Sequence, residues 1–358
     1  MIKDESIIIK NIYYMLSYAF TTLKHSNYED VATEEFDNIY NLFAAILAKG
    51  IGQQLKQGIY REYLDRKEDL TVLRGKIDIP GIAKNRIARK HVLSCEFDEF
   101  SENNLLNQVL KTTVFLLIRH SSVDVKYKDN LRKEMLFFSD VDVLDPATIP
   151  WLTIQFGRHN QTYRMLISLC QLILQGMLLT TDSGEYRLAS FIDEQRMSRL
   201  FERFILEYYY KEFQMLNVRP AQIPWALDDG ISTMLPVMQS DIMISYKEIV
   251  LIIDAKYYSH TTQVRYDVHT LHSNNLYQIF TYVKNKEMEI ADKPHTVSGM
   301  LLYARTDESI QPDNVYKMSG NQISVKTLDL NCEFSVIVSQ LNEIVVSHFG
   351  LVNPEQLR

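Results

Sequence analysis

Cysteine is scarce in this sequence, and the three present stand apart. Cys95, Cys170 and Cys332 show no Cys-x-x-Cys spacing and are odd in number, which excludes a disulfide scaffold and a structural zinc ribbon. Long apolar runs are missing as well. The strongest, Val114–Ile118 and Ile249–Ile253, fall far short of the roughly 20 residues of a membrane span. The opening segment, Met1-Ile-Lys-Asp-Glu-Ser-Ile-Ile-Ile-Lys10, carries acids where a secretory signal needs bases. A soluble, cytoplasmic chain with reduced thiols is expected, with no membrane partner. No G-x-x-x-x-G-K-[ST] phosphate loop occurs, and Gly50-Ile-Gly52 is too short to replace one. Positive charge is in deficit, 38 Lys+Arg against 45 Asp+Glu for a net −7, which excludes a non-specific DNA-coating protein. What is there, 358 residues that are 46% hydrophobic and 23% charged, is the balance of an ordered protein long enough for two domains.

The first half reads as mainly helical. Asn11 to Phe20 opens on a residue suited to an N-cap, ahead of apolar positions at helical spacing. Phe36–Leu47, Leu105–Ile118 and Thr162–Leu179 repeat that pattern. Between about 60 and 100 it breaks into short β-prone pieces, Leu70–Leu73, Ile77–Ile79 and His91–Leu93, split by Gly75, Pro80 and Gly81. We read this as a small β-rich insertion in a helical N-terminal domain, residues 1–188. Within it, Arg74, Lys76, Lys84, Arg86, Arg89 and Lys90 face one acid, Asp78. That asymmetry is either a solvated basic face or a contact with nucleic acid or an acidic partner surface. Thr180 to Gly184 has loop composition and marks the boundary. In residues 189–358 an amphipathic helix, Asp193–Leu216, precedes strands Asp241–Tyr246 and Ile249–Tyr257, a helix Ser273–Lys284 and a strand Ser298–Tyr303. That order predicts an α/β domain with a mixed sheet, in a chain that is α+β as a whole.

The second strand reads Glu248-Ile-Val-Leu-Ile-Ile-Asp-Ala-Lys256. Five aliphatic residues in succession suit a strand buried on both faces. Charge at the end of such a strand is costly unless it is paired. Side chains repeat every two residues, so Asp254 and Lys256 point the same way. Folding the preceding strand back around Lys247-Glu248 pairs Tyr246 with Ile249 and Asp241 with Asp254. Opposed residues then have Cβ atoms about 4.5–5.5 Å apart. At that spacing two carboxylates repel each other, and a divalent cation between them attracts both. Hard oxygen donors on a rigid sheet suit Mg2+, which keeps several waters, and such waters supply hydrolytic nucleophiles. Lys256 is placed to stabilise developing phosphorane charge or to orient the water. Lys-Glu is not a favoured two-residue hairpin loop, and a turn one residue longer shifts the register. The plainer reading of Asp254 and Lys256 is a structural ion pair. Glu202, at the edge of the long helix's apolar stripe, is either a solvent-facing salt bridge or a third carboxylate of the site.

Taken in order, Glu202, Asp241 and Asp254-Ala-Lys256 resemble the PD-(D/E)xK nuclease pattern, with Pro236 five residues ahead of Asp241 rather than beside it. Gln278 and Tyr282 lie four apart, on one helix face, and are similar to the Q-x-x-x-Y element of the RecB-like branch. From end to end the chain resembles the McrC family, the nuclease subunits of 5-methylcytosine-specific McrBC restriction systems. The likeness is carried by Asn11-Ile-Tyr-Tyr-Met-Leu-Ser-Tyr, Leu73-Arg-Gly-Lys-Ile-Asp78, Leu105-Leu-Asn-Gln-Val-Leu-Lys, Met197-Ser-Arg-Leu-Phe-Glu-Arg-Phe204, Asp254-Ala-Lys-Tyr-Tyr258, Asn275-Leu-Tyr-Gln278 and Gly299-Met-Leu-Leu-Tyr303.

The resemblance implies a type IV restriction endonuclease whose C-terminal domain, a mixed sheet flanked by helices, cuts double-stranded modified DNA with Mg2+. Asp241, Asp254 and Glu202 would be metal ligands, Lys256 would act on the water or transition state, and Gln278 and Tyr282 would orient the site. It also implies that the N-terminal domain docks on a McrB-like AAA+ GTPase hexamer and stimulates it. GTP and the modified cytosine would be bound by that partner. Two rivals remain: a RecB-like nuclease trimming ends beside a helicase, and a non-catalytic activator of an NTPase ring.

Overall fold

The computed structural model describes residues 7–20, 31, 34–157, 161–176, 178–180, 186–188, 193–258, 260–265, 268–292 and 294–350. The chain divides into two compact units, one of Met1–Leu42, Gln175–Met177 and Ala189–Arg358, the other of Phe43–Leu174 and Leu178–Leu188. The chain passes between them at 42/43, 174/175, 177/178 and 188/189. The first 42 residues, however, group with the second half rather than with the region expected to dock.

The reason lies in α1 (Ile9–Ala19). Asn11 is not its N-cap. Ile8 holds that position without a side-chain bond, and Asn11 is buried inside the helix with its Nδ2 donating to Leu330 O and Cys332 O, each at 2.8 Å. Tyr14 stacks on Phe334 at 4.2 Å between ring centroids, and Tyr18 Oη donates to Glu212 Oε1 at 2.8 Å. The amide that reads locally as a cap is used on carbonyls more than 300 residues away.

The other unit begins within α2 (Ile39–Lys56). Its sheet has the order β1 (Glu62–Leu70), β3 (Leu93–Ser101), β2 (Lys76–Ile77), all antiparallel, with α3 (Ile79–Ile87) between β2 and β3. Strands β1 and β3 are longer than the predicted pieces, β2 is shorter, and Ile79–Ile87 is helical. Pro80 and Gly81 read as breakers, yet proline is tolerated in a helix's first turn, where the missing N–H has no partner to lose. Asp78 caps that turn by accepting from Gly81 N at 3.0 Å, and Lys67 Nζ lies 2.8 Å from its Oδ2. Gly75 takes φ +69° against the Glu96 carbonyl, where a Cβ would clash. Arg74 is absorbed locally, its guanidinium 3.9 Å from the Phe97 ring centroid. The other five basic residues of 74–91 are exposed and make no ion pair among the described residues. Helices α4 (Leu105–Arg119), α5 (Val125–Met135) and α6 (Gln161–Gly176) follow, then the hairpin β4 (Leu178–Thr180)–β5 (Tyr186–Leu188). The loop expected at 181–184 lies outside the described residues.

Beyond the boundary come α7 (Glu194–Glu212), β6 (Asn217–Ile223), β7 (Met238–Tyr246), β8 (Ile249–Lys256), the hairpin β9 (Thr262–Arg265)–β10 (Val268–Leu271), α8 (Ser273–Glu289), β11 (Thr296–Ala304), β12 (Asn314–Met318), β13 (Asn321–Leu328) and α9 (Phe334–Phe349). A six-stranded sheet runs β12-β13-β11-β8-β7-β6. Its β6, β7 and β8 are antiparallel, and β8, β11 and β13 are mutually parallel. This is the mixed α/β architecture the pattern predicts. Asp193 caps α7 through Gln195 N at 2.9 Å, and the predicted stripe, Met197, Leu200, Phe201, Phe204, Ile205 and Tyr208, is buried.

Packing of α8 on the sheet depends on Gly299 of β11. A Cβ there would stand 2.7 Å from Ile279 Cγ1, 2.8 Å from Val283 Cγ2 and 3.0 Å from Ile323 Cδ1. Gly299→Ala should therefore destabilise this unit by about 1–3 kcal/mol through overpacking. Urea midpoints of the two proteins check this, and equal midpoints would mean that α8 yields freely.

Candidate active site

Strands β7 and β8 meet in the tight turn the sequence suggests, with Lys247 taking the left-handed φ of 52° that the turn demands. The ladder runs from Tyr246↔Ile249 to Ile242↔Ile253. The next opposed positions are Asp241 and Asp254, the predicted register. Asp241 Oδ2 accepts the Ala255 N–H at 3.0 Å. Asp254 Oδ2 lies 2.8 Å from Lys256 Nζ, with the two side chains 1% and 14% exposed. These exposures decide the chemistry, because a buried carboxyl loses the solvation that favours its anion. By alternation Asp254 and Lys256 share the face of Val250 and Ile252, which packs with Ile279, Tyr282 and Val283 of α8.

Burial first, and then the neighbouring Asp241, pushes the Asp254 carboxyl up to about 7 against the opposing pull of Lys256. Burial also raises Asp241, again opposed by Lys256. Burial alone would lower the Lys256 ammonium, but Asp254 and Asp241 outweigh it and hold it above its usual range. Lys256 Nζ donates to Gln278 Oε1 at 3.3 Å, and Gln278 Nε2 donates to Tyr282 Oη at 2.9 Å. The two α8 residues singled out by spacing thus meet each other and the lysine.

Glu202 of α7 makes no salt bridge among the described residues. Its carboxyl is raised by burial and by Asp241, and its Oε1 accepts from Ser198 Oγ at 2.9 Å. No group of three His, Cys, Asp or Glu side chains among the described residues forms a ready metal cage. Two facing carboxylates nevertheless fit Mg2+, which takes one or two and fills the rest of its shell with water. Asp254 Oδ2 is buried and faces the Lys256 ammonium at 2.8 Å.

Residues that spacing did not single out are Asn275 and Tyr303, joined by Asn275 Nδ2 donating to Tyr303 Oη at 2.9 Å. Asn275 lies three residues before Gln278, on the same helix face, and that spacing is the signal that finds it. His260, His269 and His272 form no metal-holding group among the described residues. His269 Nδ1 lies 3.0 Å from Thr262 Oγ1 on the β9–β10 hairpin, and the His272 ring lies 5.4 Å from that of Tyr258.

The pH dependence follows from Asp254. From about pH 4 to 7 the folded, metal-free chain keeps a proton on it that the unfolded chain has released. Stability must then fall as pH rises through that window, by at most about 1.4 kcal/mol per unit. Urea unfolding in chelator at pH 5 and pH 8 should show a steeper fall for wild type than for Asp254→Asn. Parallel falls in the two proteins would mean that the carboxyl titrates normally.

Fold and site together define an α/β protein that carries an acid, acid, lysine set on adjacent strands. Known proteins then give the family. The profile of the family described as McrBC 5-methylcytosine restriction system component matches residues 4–304, and the chain belongs to that family. It is similar to the type IV methyl-directed restriction enzyme EcoKMcrBC of Escherichia coli (strain K12), 26% identical over 342 residues that cover 94% of this chain and 97% of the relative. Among solved structures it is similar to a chain of the refined half-complex from the tetradecameric assembly of Thermococcus gammatolerans McrB AAA+ hexamers with bound McrC. That chain is 18% identical, over 94% of this chain and 75% of its own, with a TM-score of 0.49. A chain of the Thermococcus gammatolerans McrBC complex is 20% identical over 59% of this chain and 62% of its own, with a TM-score of 0.40.

Proposed function

We propose that this chain is the nuclease subunit of a McrBC-type complex, a type IV restriction endonuclease hydrolysing phosphodiester bonds of double-stranded DNA that carries 5-methylcytosine. The observation that carries the reading is the buried Asp254 close to the half-buried Asp241 of the adjacent strand, with Lys256 2.8 Å from Asp254. Asp241 and Asp254 would hold Mg2+, and Glu202 would reach its shell through water. When bound, the ion supplies charge stabilisation and an acidified water. Lys256 donates to the charge that develops on the attacked phosphoryl group. Gln278 accepts from Lys256 and keeps its ammonium aimed, and Tyr282 receives the Gln278 amide and fixes which way it faces. A family whose members are components of a 5-methylcytosine restriction system supports the substrate.

The chain has no phosphate loop of its own, so the nucleotide step belongs to a partner. An AAA+ GTPase ring of McrB type, stimulated by this chain, is the partner that the family implies. The exposed Lys76, Lys84, Arg86, Arg89 and Lys90 are the surface we assign to that ring or to DNA nearing the site.

Circular methylated DNA provides the test. With the partner, GTP and Mg2+ it should be linearised, and chelator should stop cleavage entirely. An end-trimming nuclease would leave the circle intact. Cleavage that survives Lys256→Ala would favour the non-catalytic activator, because another subunit would then be cutting.

A further inference from the structure

The geometry points to Asn275 and Tyr303 as positioning residues that hold Lys256 in place through Gln278. This rests on the nuclease reading and extends it from the groups that meet the reaction to those that aim them. Tyr303 is fully buried and stands directly across the parallel ladder from Lys256, so the two side chains share one face of the sheet. Its hydroxyl accepts from Asn275 Nδ2 at 2.9 Å. Asn275 is buried too, and its Oδ1 lies 3.5 Å from the hydroxyl of Tyr258, two residues beyond Lys256. Asn275, Gln278 and Tyr282 fall at i, i+3 and i+7 of α8 and form one stripe of that helix. The helix is thus tied to the sheet twice along a single face, by Asn275 to Tyr303 and by Gln278 to Lys256.

The first tie governs the second. The N-cap of α8, His272, makes no side-chain capping bond, so the first turn is not held in the usual way. The Asn275–Tyr303 bond is the polar anchor of that turn on β11. At 3.3 Å the Lys256–Gln278 bond is already long, and hydrogen bonds weaken steeply with distance and misalignment. A small slide or rotation of α8 would break it. Leu at 275 and Phe at 303 would fill this apolar cluster without the cost of burying an amide and a hydroxyl. The polar pair supplies direction, where an apolar pair would supply only volume. Without the anchor, Lys256 keeps its ion pair to Asp254 but loses the acceptor that points its ammonium outward.

Single-turnover cleavage of circular methylated DNA by the full complex tests this, with saturation by DNA and partner GTP hydrolysis measured alongside. Tyr303→Phe removes one oxygen and keeps the ring. It should lower the cleavage rate about tenfold, the worth of one buried hydrogen bond, with DNA saturation and GTP hydrolysis unchanged. Asn275→Ala should do the same, and it carries the test if Tyr303→Phe folds poorly by its thermal midpoint. The deciding measurement is the cycle with Gln278→Ala. If Tyr303 acts through Gln278, the double variant is no slower than Gln278→Ala alone. Wild-type cleavage by Tyr303→Phe, or a double variant that multiplies both losses, would overturn the proposal. Cleavage persisting in Asp254→Ala would instead overturn the nuclease reading, and this inference with it.

Discussion

Asp254→Ala should abolish DNA cleavage by the reconstituted complex, lowering it by more than about 10³-fold, and should leave the partner's GTP hydrolysis near its wild-type rate. The first half follows from where this carboxylate sits. Asp254 lies near the end of β8, a strand buried along its middle six residues, and 2.8 Å from Lys256. Alanine removes one of the two carboxylates proposed to hold Mg2+ and a counter-charge of the Lys256 ammonium. The site then has one carboxylate for a divalent cation and a lysine free to close on it. The second half follows from the division of the chain. Asp254 belongs to the sheet unit, whereas the exposed basic surface assigned to the partner belongs to the other. The substitution should also spare the fold, since removing a carboxyl that burial raises to about 7 relieves a desolvation cost at neutral pH and Asp241 remains as a counter-charge for Lys256. Equal loss of cleavage and of GTP hydrolysis, with the protein still folded, would sink this separation of tasks.

Asn11→Ala should cost about 2–4 kcal/mol, the largest stability loss expected from a single polar group here. Both amide bonds of Asn11 end on main-chain carbonyls, Leu330 O and Cys332 O, and alanine leaves both without that donor. The loss should appear in the unit that contains the six-stranded sheet. The protein's two tryptophans report on this, because Trp225 lies in that unit and Trp151 in the other. In a Trp151→Phe background the urea transition of Trp225 fluorescence should move to lower urea on adding Asn11→Ala. In a Trp225→Phe background, little change is expected for Trp151. A shift confined to Trp151 would mean that residues 1–42 support the other unit.

The site was more legible in the sequence than the insertion was. Register of β7 on β8 could be read because a two-residue link leaves few ways to pair, and because the even positions of β8 carry the charges at its end. Gln278 and Tyr282 came from their likeness to the Q-x-x-x-Y element, and helical spacing put them on one face. Strand β1 was hidden, since Glu62-Tyr-Leu-Asp-Arg-Lys-Glu-Asp-Leu70 has almost no apolar alternation. What holds it includes pairing across to β3, with Arg66 reaching Glu99 at 3.3 Å and Lys67 reaching Glu96 at 3.2 Å. Such charge pairs mean nothing until the partner strand is known. Helix α3 was hidden by Pro80 and Gly81, which break a helix interior but suit its first turn once Asp78 caps it.

By itself the sequence determined the order of elements around the site, the face shared by Asp254 and Lys256, and the family. The first two rest on neighbours in the chain or on a tight turn, where periodicity leaves little choice, and the family rests on the likeness of its motifs. Only the tertiary structure decided that Asn11 bonds the far end of the chain, that Glu202 is half-buried within reach of the Asp241 charge, and that Tyr303 stands across from Lys256. Those are meetings between segments remote in sequence. Their partners depend on which surfaces pack, and packing is settled by the burial of whole faces at once rather than by any local preference.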